Sequence, residues 1–210
     1  MSIIDLGKQS LIYGAGHVLA RLITFLLLPL YTHTFTQEEY GALSLAYAFM
    51  GFALILYRYG MDTAMMKYSV QKQGPERKKY ITLIIVTQFI TSFLFTFIIY
   101  STRLSTAEYV LGTYRPDWIS YLAVILFFDA LWNLPLLILR SEEKAIPYIF
   151  LSLLNVILTM ALNIMFVVYW EQGIEGVFRA NIIASAFIFL VSLPIVIKRV
   201  VFDFFEKDIF

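Results

Sequence analysis

The chain contains no cysteine. That excludes disulfides, thiolate metal sites and a cysteine nucleophile. It has two histidines, His17 and His33, neither in a metal-ligand spacing with carboxylates, so no metal and no cofactor is expected. Charge is scarce as well. Only 15% of the 210 residues are Asp, Glu, Lys or Arg, where a soluble domain carries about a quarter. The net charge of +1 gives no general attraction to polyanions, and no nucleic-acid partner is expected. Tight alternation of polar and apolar residues is missing, which argues against a transmembrane barrel. Low-complexity tracts and convincing internal repeats are also missing, and nothing reads as an enzyme.

What the chain does have is apolar surface: 60% of its residues are hydrophobic, more than its polar residues can cover in water. Residues 80–102, 145–170 and 180–197 hold no charge at all. Each run is long enough for a hydrocarbon core about 30 Å thick, which takes about 20 helical residues. Residues 41–57 form a slightly shorter run, residues 11–31 are broken only by Arg21, and residues 119–139 only by Asp129. The reading is an all-α transmembrane protein, one domain over 1–210, with spans near 11–31, 41–59, 80–100, 119–139, 148–170 and 176–197. The first run is too long for a signal core, carries an arginine and lacks a small-residue cleavage site before Thr32, so it should persist as a helix.

Alternating the loops across the membrane separates the basic residues. Lys8, Lys67, Lys72, Arg77, Lys78, Lys79, Arg140, Lys144, Lys198, Arg199 and Lys207 fall on one side, and only Arg103 and Arg115 on the other. Cytoplasmic loops carry the Lys/Arg excess, so both termini are expected in the cytoplasm. Tyrosine and tryptophan gather at the expected interfaces, among them Tyr31, Tyr40, Trp118, Tyr169 and Trp170.

Four charges remain inside the spans. Arg58 lies near a helix end and reads as a snorkelling interfacial anchor. Arg179, one turn into the last span, reads equally as an anchor or a cavity residue. Arg21 and Asp129 each fall near the middle of their expected spans, roughly 15 Å from either face. A central charge is costly and faces a cavity or a partner. The two therefore form either a buried ion pair between the first and fourth helices or part of a substrate or ion pathway. Tyr13, His17 and Arg21, at i, i+4 and i+8, share one helix face. Asn155 and Asn163 read as interhelical hydrogen-bond glue, with Asn163 a possible secondary cavity residue. Pro29, Pro135 and Pro194 interrupt three spans.

Four segments in order carry a resemblance: LIYGAGHVLARLITFLLLPLYTHTFTQEEYGALSL at 11–45, YGMDTAMMKY at 59–68, LPLLILRSEEKAIPY at 134–148, and NIMFVVYW followed by GIEGVFRANIIAS. Together they resemble the oligosaccharide (polysaccharide repeat-unit) flippase family of the MATE-like multidrug/oligosaccharidyl-lipid/polysaccharide transporter superfamily. The resemblance implies a six-helix bundle like one lobe of a MATE-like transporter. It implies a lipid-linked oligosaccharide partner, carried on undecaprenyl pyrophosphate across the bacterial cytoplasmic (inner) membrane for O-antigen, capsule or exopolysaccharide synthesis. The family's helix-one arginine falls on Arg21, which with His17 and Tyr13 would meet the pyrophosphate. Family members usually have twelve or more helices, so this chain is expected to be an N-terminal half that pairs with a C-terminal lobe or with a second copy. The alternatives are a cation-coupled multidrug exporter, with Asp129 carrying the ion, and an inactive truncated membrane protein.

Overall fold

A computed structural model describes residues 14–201 except 17, 24, 113 and 114. Among the described residues every regular element is helical, and six helices are long and apolar enough to cross a membrane. In chain order they are α1 (Gly14–Thr34), α2 (Gln37–Arg58), α3 (Met61–Gln71), α4 (Gly74–Ser101), the short α5 (Arg103–Thr106), α6 (Pro116–Ser141), α7 (Ala145–Asn163) and α8 (Gly173–Ile197). The helices α1, α2, α4, α6, α7 and α8 are the spans. A helix is forced here because hydrocarbon offers no partner for a backbone N–H or C=O.

The helices run past their apolar cores because their polar ends hold them in helical geometry. Thr36 caps α2: its hydroxyl accepts from the Glu39 N–H (3.3 Å), and the Glu39 carboxylate accepts from the Thr36 N–H (2.9 Å). Pro75 and Pro116 sit in the first turns of α4 and α6, where a missing N–H costs nothing. The basic run Arg77–Lys79 thus lies within α4 rather than in a loop. The stretch expected as a long connection after α2 is also mostly helix. Tyr59 and Gly60, at φ of 25° and 92°, break the backbone, and α3 begins at once. Pro135 and Pro194 lie inside continuous helices, whereas a turn at Leu26 marks α1 just ahead of Pro29.

The central element is α6. Of its most apolar stretch 61% is buried, against 28% or less in every other span. It packs against α2, α3, α4, α7 and α8. Ala46 and Ala53 on α2, and Ala123 and Ala130 on α6, are buried at seven-residue spacing. Small residues let membrane helices approach closely, and dispersion then replaces the hydrophobic drive that lipid does not supply. At its far end α7 widens into a π turn, Ile164–Tyr169, against which α8 starts. A Cβ on Gly176 would stand 3.1 Å from Gln172 Cβ and 3.2 Å from Phe166, so any larger residue at that crossing would have to push its neighbours aside.

Candidate functional site

Three polar groupings stand out, at three depths. The first is a cleft of about 440 Å³ between α1, α2, α7 and α8, in the half of the bundle away from the basic loops. Tyr31, Tyr40, Tyr47, Asn155, Thr159 and Asn181 line it, and among the described residues no charged one does. Its walls are tied together by side chains. The Tyr31 hydroxyl donates to Asn163 Oδ1 (2.8 Å), joining α1 to α7. Asn181 Nδ2 donates to the Tyr47 hydroxyl (3.3 Å) and to the Val177 carbonyl (2.8 Å), joining α8 to α2.

The second grouping lies near mid-depth on α6. Asp129 Oδ1 accepts from Ser185 Oγ of α8 (2.6 Å) and from Trp132 Nε1 one turn along (3.0 Å). At the next residue, Asn133 Nδ2 donates to Asp62 Oδ1 of α3 (3.0 Å), while Arg58 Nη1 lies 3.5 Å from Asp62 Oδ2. Gln88 of α4 closes the seam by donating to the Tyr57 carbonyl (2.7 Å) and to Ser92 Oγ (2.8 Å). Polar groups in hydrocarbon need partners, and these spans supply most of them to one another, while Arg58 Nε and Gln88 Oε1 are buried without one among the described residues.

The third grouping sits where the basic loops meet. Glu142, just past α6, accepts from Arg77 at the start of α4 (3.1 Å), Lys144 before α7 (2.9 Å) and Arg199 after α8. The Arg199 guanidinium engages both carboxylate oxygens, its Nε lying 2.6 Å from Oε1. That fork, with Lys144, holds the Glu142 carboxyl down at about 2, well below the usual carboxylate range, against a smaller opposing push from burial.

The family model described as "Polysaccharide biosynthesis protein" matches residues 6–209. The chain belongs to this family. A curated relative in Haemophilus influenzae (strain ATCC 51907 / DSM 11121 / KW20 / Rd), named only as an uncharacterized membrane protein, is 26% identical over 194 residues. The match covers 92% of this chain and 45% of that protein, so the chain spans under half the relative's length. No solved structure matches. With six apolar helices and a membrane relative, this member of the polysaccharide biosynthesis family is a multi-pass membrane protein.

The residues singled out from the sequence fall into different places in this family member. Tyr13 and His17 lie outside the described residues. Arg21 lies on α1, thirteen residues before its end at Thr34. Its side chain is exposed, and among the described residues no ion pair joins it to Asp129. Arg58, expected as an interfacial anchor, lies 3.5 Å from Asp62 of α3. The cause is topological: α6 turns Asp129 toward α8, while α1 packs against α2 and, from Gly16 near Ile149 to its C-terminal end, against α7. Arg179 makes local pairs with Glu175 (3.2 Å) and Gln172 (3.0 Å) at the start of α8. Asn163 is buried and bonded, as glue should be. Sequence reasoning passed over Asp62, Asn133, Ser185, Tyr47, Asn181 and Glu142. Only Asp62 and Glu142 carried a signal, as acidic residues within otherwise basic segments.

Proposed function

We propose that this six-span unit is a lobe of a flippase that carries undecaprenyl-pyrophosphate-linked oligosaccharide across the bacterial cytoplasmic membrane for surface polysaccharide synthesis. Membership of the polysaccharide biosynthesis family supports a role in that process, and one observation points to the substrate's head. Arg21 stands within the hydrocarbon depth of α1 with its side chain exposed and no pairing to Asp129. A guanidinium left open at that depth costs a few kcal/mol or more facing lipid, so it belongs on a cavity that admits an anion. Its planar fork matches two phosphate oxygens at once, which an ammonium does not. The headgroup would be loaded from the cytoplasmic leaflet, with both termini in the cytoplasm. In this reading Asp129, held at mid-depth by Ser185 and Trp132, is the carboxylate available for ion coupling.

The test is export of surface polysaccharide in cells lacking their own flippase, using the protein at its natural length and quantifying the membrane-inserted amount. Losing a charge-assisted contact to phosphate should lower export in Arg21→Ala roughly 10- to 100-fold. Arg21→Lys should recover only part of it, since charge returns without the fork. Asp129→Asn keeps an oxygen for Ser185 and Trp132, so a coupling role predicts lost export with normal insertion. Undiminished export from well-inserted Arg21→Ala would end the pyrophosphate assignment.

A further inference from the structure

We propose that the uncharged cleft between α1, α2, α7 and α8 is a binding subsite for a neutral, hydroxyl-rich ring, a sugar residue of the lipid-linked saccharide, distinct from the anion position at Arg21. This rests on the flippase reading above. The volume of about 440 Å³ falls within the usual range for small-molecule sites, about 300–1,000 Å³. The lining is selective in kind. Tyrosine rings supply flat faces for the C–H side of a sugar, while amides and hydroxyls supply donors and acceptors for its rim. Among the described residues the lining carries no charge, which disfavours both phosphate and cation.

The amides are also incompletely used. Asn155 Oδ1 has a long 3.5 Å contact from Thr159, and among the described residues its Nδ2 has no partner. Both donor contacts of Asn181 are made through Nδ2, and among the described residues its Oδ1 accepts from nothing. Neither atom is fully buried, and both belong to residues that line the cleft. Polar groups open at membrane depth are costly unless something polar occupies the space beside them. The bonds of Tyr31 to Asn163 and of Tyr47 to Asn181 fix those two rings in advance, which lowers the ordering cost of binding.

Position ties the cleft to the anion site. Leu28 lines the cleft and lies seven residues after Arg21, so the two share one face of α1 about 10 Å apart. A head held at Arg21 would place the first sugars beyond it at the depth of Tyr47 and Asn155.

The experiment compares two probes, undecaprenyl pyrophosphate bearing a disaccharide and bare undecaprenyl pyrophosphate, by native mass spectrometry of the full-length protein in nanodiscs. The wild-type protein should bind the saccharide lipid more tightly. Asn155→Leu, which keeps volume, and Thr159→Val, which keeps shape, should each weaken the saccharide lipid about three- to tenfold and leave the bare lipid unchanged. Arg21→Ala should weaken both probes. Melting temperatures measured alongside show whether each variant folds, and the two variants fail independently. Equal binding of both probes by wild type, or co-purified phospholipid filling the cleft and undisplaced by the saccharide lipid, would overturn the subsite while leaving the pyrophosphate assignment standing. Binding of neither probe would overturn the flippase reading and the subsite with it.

Discussion

At the scale of single residues, Arg21 stands open, while Asp62, Asp129 and Glu142 each sit where a cation, an amide or a hydroxyl meets them. Glu142 is the clearest case, since one carboxylate joins the ends of three spans through Arg77, Lys144 and Arg199. Its carboxyl is held at about 2 in the fold and returns to about 4.5 when released. A depressed carboxylate stabilises fully above its unfolded value, and that contribution fades as pH falls from about 4.5 toward about 2. Glu142→Gln should therefore cost about 1–3 kcal/mol of stability at pH 7, as expected for lost hydrogen bonds to charged groups. Thermal unfolding in detergent at pH 7 and at pH 3 checks this. The gap between wild type and Glu142→Gln should shrink in acid, and a gap independent of pH would show that the carboxylate charge is not what holds the three ends.

At the scale of elements, the spans were readable because charge-free runs of this length have one stable form in hydrocarbon. The helix α3 was not readable. It carries Asp62 and Lys67, has no membrane-length run, and exists because Tyr59 and Gly60 turn the chain back onto α4 and α6. The docking of α1 was equally hidden. It rests in part on Gly16, where an added Cβ would lie 2.7 Å from Ile149 Cγ1 of α7. Gly16→Val should overpack that crossing at a cost of about 1–3 kcal/mol. Ile149→Ala in the same chain should recover much of the loss. Melting temperatures of the two single variants and the double variant decide it, and simply additive losses would show that the two residues do not press on one another.

At the scale of the whole molecule, the basic residues divide the surface into two ends, and the expected topology puts the Glu142 end in the cytoplasm. Since the chain lacks cysteine, single cysteines report without background. A cysteine at Gln73, between α3 and α4, should resist an impermeant thiol reagent in intact cells. One at Tyr109, which is 87% exposed at the opposite end, should react. Labelling at Gln73 with protection at Tyr109 would reverse the orientation and with it the leaflet from which Arg21 is loaded.

By itself the sequence determined the all-α membrane class, the six spans, the asymmetry of basic loops and the depth of Asp129. Each depends on hydropathy or charge along a single run, and the bilayer acts on each run separately. The tertiary structure decided which groups meet. Asp129 faces Ser185 rather than Arg21, Asp62 meets Asn133, and Glu142 gathers three cations from distant loops. The cleft belongs to the same class, since Tyr31 and Asn163 are 132 residues apart, and Tyr47 and Asn181 are 134 apart. Tyrosine and asparagine in an apolar run look alike whether they glue helices or line a cavity. Only the packing of α1, α2, α7 and α8 leaves room between them, because a void is a property of several helices together and of none alone.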